Sequence, residues 1–310
     1  MAIPRLPFVC RPYFLLELPG WGVLYNKLGI HGIDNVDPRW ADAPTRVCRG
    51  KHHGYTMRLR LNDDIDRDTY FLGRYYDLEI QLLLDELLSP GDTFLDIGAN
   101  VGRTTLHAAS RVGPGGRVIA VEPQPGCCER INEAIADNHL SHIEIHNVAA
   151  GEEQETLELK ILGGGTILAT LAIDEKADGP KLRDTIEVPV IPLDTIMPSE
   201  VQGKLVVKSD VEGFELRALR GLAESLARYR PPVITEVVPR TLERAGTSAD
   251  QLFAFFHERD YSAYIVGLGR DRLRRSRVAL TPISDPSPID YEADILWAPN
   301  TGWFDPKPFT

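Results

Sequence analysis

Four acidic residues stand where hydrophobic runs end: Asp96 in "TFLDIG", Glu122 in "RVIAVEP", Asp210 in "KLVVKSD" and Glu236 in "PPVITEV". If each run is a strand of a parallel sheet, the carboxylates gather at the edge where open α/β sheets bind ligands. After Asp96 the chain reads Gly98-Ala99-Asn100-Val101-Gly102 and then begins a helical pattern. A strand that turns straight into a helix presents free backbone N–H groups and the positive helix end to a ligand. Gly98 lets the backbone pass close to that ligand, and Gly102 lets the helix start lie near the strand. Asp96 can accept from an ammonium group or a held water.

This turn is open to three readings. A dinucleotide fold carries GxGxxG, and the close-spaced first glycine pair is missing here. Glu122, about two dozen residues after Gly98, can take both hydroxyls of a ribose, which suits an NAD-like or an adenosyl ligand. Asn147, at the end of a third run, can contact an adenine ring or serve as a turn residue. The third reading is a turn that exists for packing alone.

Asp210 and Glu236 sit at the ends of successive strands, so their carboxyls are expected to converge. Such a pair can bind Mg²⁺ through oxygen ligands or leave one carboxyl with a raised pKa as a base. Asp210 is favoured as the acid nearest a reacting hydroxyl. The plainer alternative has Asp210 capping the next helix and Glu212 pairing with an arginine. His107 reads as a packing residue, while the pair His52-His53 can close over a bound molecule. Tyr13, Trp21, Tyr25, Trp40, Tyr75 and Tyr76 can stack on a sugar ring or anchor the N-terminal segment.

The elements that must position these residues follow from periodicity. Residues 1 to about 70 carry Pro4, Pro7, Pro12, Pro19, Pro38 and Pro44 and are expected to be irregular, except that "YTMRLRLNDD" alternates like a strand or hairpin arm. Leu78, Leu82, Leu83, Leu87 and Leu88 predict an amphipathic helix ending at Ser89-Pro90-Gly91. Strand and helix patterns then alternate to Ala150, which predicts right-handed crossovers and a parallel sheet. "TLELKIL" and "DTIEVPVIPLDTI" predict an inserted hairpin, "VEGFELRALRGLAESL" one helix, and "YSAYIV" with "ADILWAP" a closing antiparallel pair.

Bulk properties narrow the function classes. With 310 residues, 43% hydrophobic and 25% charged, the chain can bury a full core. A formal net charge of -11 argues against a duplex nucleic-acid partner. The basic run "GRDRLRRSR" from Gly269 to Arg277 reads as a solvated loop with a lesser alternative of anion contact. Cys10, Cys48, Cys127 and Cys128 form no CxxC pair, so they are expected to be free thiols of a cytoplasmic protein and not zinc ligands. "YFLLELPGWGVL" is too short and interrupted for an integral membrane segment. It is expected to pack on the core or on a second subunit, so a homo-oligomer through this arm is one expectation.

Taken together, "FLDIGANVGRTTL", "VIAVEPQP", "NVAAG", "VVKSDVEGFELRALRG", "PPVITEVVP" and "DILWAP" resemble the FkbM family of S-adenosylmethionine-dependent methyltransferases, over roughly Tyr76 to Pro299. The resemblance implies a Rossmann-like α/β class I methyltransferase fold. Its sheet would have about seven strands, mostly parallel with the last antiparallel, and helices on both faces. Residues 1–75 would be an arm, lid or association segment and residues 76–310 the cofactor-binding domain. It further implies that Asp96, Gly98, Asn100 and Gly102 form the cofactor turn, that Glu122 binds the ribose and that Asn147 lies near the adenine. Asp210, Glu212 and Glu215 match a DVEGxE motif beside the transferable methyl. Ser209 departs from the hydrophobic residue more usual before that motif.

The implied reaction is O-methylation of a small hydroxyl acceptor, a sugar or a polyketide-like natural product. Asp210, Glu236 and Glu212 are the candidate catalytic residues, with Mg²⁺ at Asp210 and Glu236 as a further candidate. A hydroxyl is a poor nucleophile near neutral pH and needs a base or a metal. The competing readings are an NAD(P)-linked oxidoreductase, for which no Tyr-x-x-x-Lys pair is present, and a non-catalytic binding protein on the same fold.

Overall fold

The computed structural model describes residues 3–15, 24, 27–28, 39–162, 169–170, 182–271, 275–301 and 305–306. Trp21 and Tyr25 lie outside them. In chain order the elements are α1 (Leu6–Leu15), β1 (Thr45–Arg49), β2 (Thr56–Arg60), α2 (Asp64–Leu72), α3 (Leu78–Leu87), β3 (Thr93–Ile97), α4 (Arg103–Val112), β4 (Arg117–Val121), α5 (Pro125–Asn138) and β5 (Ile143–His146). Then come β6 (Ala149–Ala150), β7 (Glu155–Leu162), β8 (Ala169–Thr170), β9 (Leu182–Ile191), β10 (Leu205–Ser209), α6 (Glu215–Arg220) and α7 (Ala223–Tyr229). The chain closes with β11 (Val233–Val237), α8 (Pro239–Arg244), α9 (Ala249–His257), β12 (Tyr261–Arg270), β13 (Ser276–Ile283) and β14 (Ala293–Pro299).

The main sheet has eight described strands in the order β13-β12-β14-β11-β10-β3-β4-β5. The five from β11 to β5 run parallel, and β14, β12 and β13 add an antiparallel flank. Every residue of β3 and β10 is buried, as a parallel strand covered on both faces requires. Leu83, Leu84 and Leu87 of α3 and Ala108 and Val112 of α4 pack on Phe94, Val206 and Ile234. The opposite face buries Leu95, Ile97 and Val207 under Leu216, Leu219, Leu252 and Phe256. Each such side chain contributes roughly 1.5–3 kcal/mol, and together they fix the level at which the strand ends stand.

Four features differ from the sequence pattern. The third run splits: β5 stops at His146, and β6 leaves to join a second sheet of order β6-β9-β7-β8, so the insertion is a small sheet and not a lone hairpin. The Asn147 amide marks the break, donating to the Glu122 and Pro123 carbonyls at 2.9 Å. The helix after Asp210 breaks at Gly221, a position that only glycine fits, since a Cβ there would lie 1.9 Å from the Gly151 carbonyl oxygen. The basic run is the end of the β12–β13 hairpin as far as it is described, with residues 272–274 outside the described set and an Arg275–Asp271 ion pair at 2.8 Å.

The N-terminal segment is more regular than its prolines suggested. In α1, Pro7 occupies the first turn, where no backbone donor is needed, and Pro12 forfeits a single bond. Helix α2 is capped by the Asp63 side chain, which accepts from the Asp66 N–H at 3.0 Å, and it ends at Gly73 with φ +71. Trp40, Leu59 and Phe71 form a buried cluster with Leu106 and Ala134 of the main fold, and Tyr13 packs against it. Trp40 and Tyr13 are therefore packing anchors. No described helix is long and apolar enough to cross a membrane.

Candidate functional site

The carboxyl ends of β3, β4, β10 and β11 border a cleft of about 950 Å³, part of it open to solvent. Gly98, Asn100, Glu122, Asp210, Glu212 and Glu236 all line it, joined by Tyr75 and Tyr76 from the turn before α3. Asp96, Gly102 and Asn147 do not. Asp96 is buried one layer beneath, where its Oδ2 accepts from the Thr105 hydroxyl at 2.6 Å while Oδ1 has no hydrogen-bond partner among the described residues. Asn147 supports Glu122 from behind through the carbonyl contacts that end β5.

The glycine turn is built for packing between strand ends as much as for a ligand. Gly98 takes φ +79 and Gly102 φ +78, and Asn100 stands between them at φ +51. Gly98 and Ala99 both donate to the Val121 carbonyl, at 2.9 and 3.1 Å. A Cβ on Gly98 would meet the Asp210 carbonyl oxygen, and one on Gly102 would approach Ile131 of α5 at 2.9 Å. The close neighbours of both glycines are thus protein groups, the end of β10 and the next helix, where the sequence suggested ligand and strand.

Glu122 is held by this turn. Its Oε2 accepts from the Asn100 N–H and its Oε1 from the Gln124 N–H, each at 2.8 Å. Burial outweighs these two bonds and pushes its carboxyl up to about 7. Each oxygen keeps acceptor capacity for a hydroxyl donor.

The DVEGxE segment wraps around Glu215, whose Oε1 accepts from the N–H groups of Val211 and Gly213 at 3.1 and 3.2 Å. Burial lifts Glu215 to about 7. Glu212 projects from a left-handed backbone, φ +52, and burial together with Asp210 and Glu215 pushes it up to about 8. Glu236 is pushed well above the usual carboxylate range, first by the charge of Asp210 and then by burial. Asp210 accepts from the Lys208 ammonium at 2.8 Å, which replaces the helix-cap role considered for it. Glu236 therefore holds its proton near neutral pH, while Asp210 has a cation beside it.

Lys208 escaped the sequence reading because a lysine inside a hydrophobic strand looks like an edge residue. Its signal was the spacing: positions two apart on a strand share a face. Ile65, Cys127, Leu159 and Phe214 also line the cleft unforeseen, brought in by α2, α5, β7 and the loop before α6. The histidines go elsewhere. His107 is buried with its Nε2 3.0 Å from Asp85 Oδ1, His52 meets its ring edge-on, and His53 is driven down to about 3 chiefly by burial; none of the three borders the cleft.

The donor set does not support the Mg²⁺ expectation at Asp210 and Glu236. Among the described residues no group of three or more His, Cys, Asp or Glu side chains is arranged to hold a metal ion. Lys208 already supplies the positive charge at Asp210.

The family model for the methyltransferase FkbM domain matches residues 96–263, just over half of the chain. An arsenite methyltransferase of Halobacterium salinarum is 37% identical over 57 residues, 18% of this chain and 15% of that protein. Among solved structures, a methyltransferase FkbM from Methylobacillus flagellatus aligns with a TM-score of 0.40 at 16% identity, over 74% of this chain and 52% of that one. An S-adenosylmethionine-dependent O-methyltransferase from Thermotoga maritima aligns with a TM-score of 0.38 at 12% identity, over 83% and 78%. The chain thus spans about half the length of the first of these structures and a small part of the curated relative.

Proposed function

This chain belongs to the FkbM methyltransferase family, and on that footing we propose that it transfers a methyl group from S-adenosylmethionine to a hydroxyl oxygen of a small acceptor, a sugar or natural-product hydroxyl. The observation that carries the reading is the meeting of Gly98, Asn100, Glu122, Asp210 and Glu236 around one cleft. The residues fit the cofactor: Glu122 lines the cleft and retains acceptor capacity on both oxygens for ribose hydroxyls, and Gly98 and Asn100 border the same space. When bound, the cofactor supplies an electrophilic methyl on a sulfonium.

The chain's own part is positioning and proton handling. Glu122 and the turn at Gly98 to Asn100 orient the adenosyl end. Val148 and Ala149 offer an apolar wall beside it, with Asn147 bracing Glu122. Asp210 accepts the hydroxyl proton, Glu236 carries its own proton beside it, and Tyr75, Tyr76 and Phe214 exclude water around the acceptor. We read residues 1–75 as a lid, since Ile65 of α2 reaches the cleft.

A thermal-shift experiment tests the reading. Adenosylhomocysteine is expected to raise the melting temperature while NAD does not, and equal or opposite shifts overturn it.

A further inference from the structure

Lys208 is a buried lysine on β10 whose ammonium is 2.8 Å from Asp210 Oδ2. Burial alone would discharge it, but Asp210 and Asp96 outweigh burial and hold it charged. Asp96 is its register partner on β3. The other acids that feel the charge of this pair are Asp77 before α3, Glu122 after β4, Glu212 and Glu215 after β10, Glu236 at the end of β11 and Asp294 on β14, with Glu79 and Glu292 acting on them in turn. Lys208 also lines a small cavity with Gly98, Asn100, Arg103 and Asp210, adjoining the main cleft. Among so many carboxylates, the one that touches this ammonium is set apart from the rest.

We infer that Lys208 is a positioning residue that fixes the orientation and charge of Asp210, so that Asp210 and not Glu236 takes the acceptor's proton as the methyl group moves. This rests on the methyl-transfer reading. In that step the acceptor O–H bond breaks, its proton goes to Asp210, and the oxygen's electron pair forms the bond to the methyl carbon. The methyl–sulfur bond breaks with its pair left on sulfur, which turns from sulfonium to neutral thioether. Asp210 is then neutral beside a charged Lys208, an arrangement that favours release of the proton to solvent.

The test needs no acceptor. Full-length protein carrying ¹³C-labelled aspartate carboxyls is titrated by NMR, with the Asp210 signal assigned by its loss in Asp210→Asn. Lys208→Met is expected to move the Asp210 titration up by more than about one pH unit, and Lys208→Arg to leave it near the wild-type position. An unmoved titration in Lys208→Met overturns the inference. If Lys208→Met does not fold, the double variant Lys208→Met/Asp210→Asn is expected to fold, because it removes the unpaired charge with its partner, and failure of that rescue overturns the inference as well. The adenosylhomocysteine shift is measured on the same samples. A moved titration without that shift sinks the methyl-transfer reading and leaves the Lys208–Asp210 coupling standing.

Discussion

Gly98 and Asp210 meet through their backbones: a Cβ on Gly98 would lie 1.8 Å from the Asp210 carbonyl oxygen. The same residue is held through its other backbone group, where the Asp210 N–H donates to the Ile97 carbonyl at 2.9 Å. The turn that faces the proposed cofactor and the residue proposed as base are therefore one mechanical unit.

Gly98→Ala is expected to force these strand ends apart as well as to strain a left-handed backbone position. A cost of about 2–4 kcal/mol in urea denaturation is expected, together with loss of adenosylhomocysteine binding by calorimetry. A stable variant that binds normally would show that the strand ends can separate freely.

Glu122→Gln removes one of two acceptors for backbone N–H groups and the charge that ribose hydroxyls donate to. Adenosylhomocysteine affinity is expected to fall roughly 10- to 100-fold. In the wild type the Glu122 carboxyl is lifted to about 7, and hydroxyl donors favour its ionised form. Binding at pH 6 is therefore expected to release a proton, seen as a dependence of calorimetric enthalpy on buffer ionisation heat.

The cleft acids set the pH dependence of stability. Glu122, Glu212, Glu215 and Asp294 are raised to about 7, 8, 7 and 7 by burial before anything else. Their folded pKa values exceed the unfolded ones, so the folded state binds more protons between about pH 4.5 and 8 and loses stability as pH rises through that window. Urea denaturation without ligand is expected to give a protein clearly weaker at pH 8.5 than at pH 5.5. Asp210→Asn is expected to flatten that slope, since the charge of Asp210 helps to raise all four groups.

Asp66 ties the N-terminal segment to the cofactor turn. Fully buried, it accepts from Arg103 at the start of α4, from Arg130 of α5 and from the Arg60 N–H at 2.7 Å. Asp66→Ala leaves buried guanidinium groups without this partner and is expected to cost about 3–5 kcal/mol. Limited proteolysis is expected to cut the variant first within residues 39–75.

Asp210→Asn is expected to lower methyl transfer by about 10²- to 10⁴-fold, the usual contribution of a general base. Adenosylhomocysteine affinity should stay within roughly threefold of wild type if Asp210 acts on the acceptor and not on the cofactor.

The sequence by itself determined the alternation of strands and helices from Leu78 onward, the parallel core, the antiparallel closing pair and the strand-end position of each acid. Hydrophobic periodicity and glycine placement are local signals, and they were enough to place Glu122, Asp210 and Glu236 at one edge. Only the tertiary structure decided what those residues face. Gly98 packs on a backbone 112 positions away (210 − 98), Asn147 spends its amide on the Glu122 and Pro123 carbonyls, and Asp96 lies a layer below the cleft. The ordering of β6 into a second sheet, the helix break at Gly221 and the helices of the N-terminal segment likewise depend on partners distant in the chain. The charge states of the cleft acids belong to the same class, because burial and the spacing between carboxylates on different strands exist only once the sheet has brought their ends together.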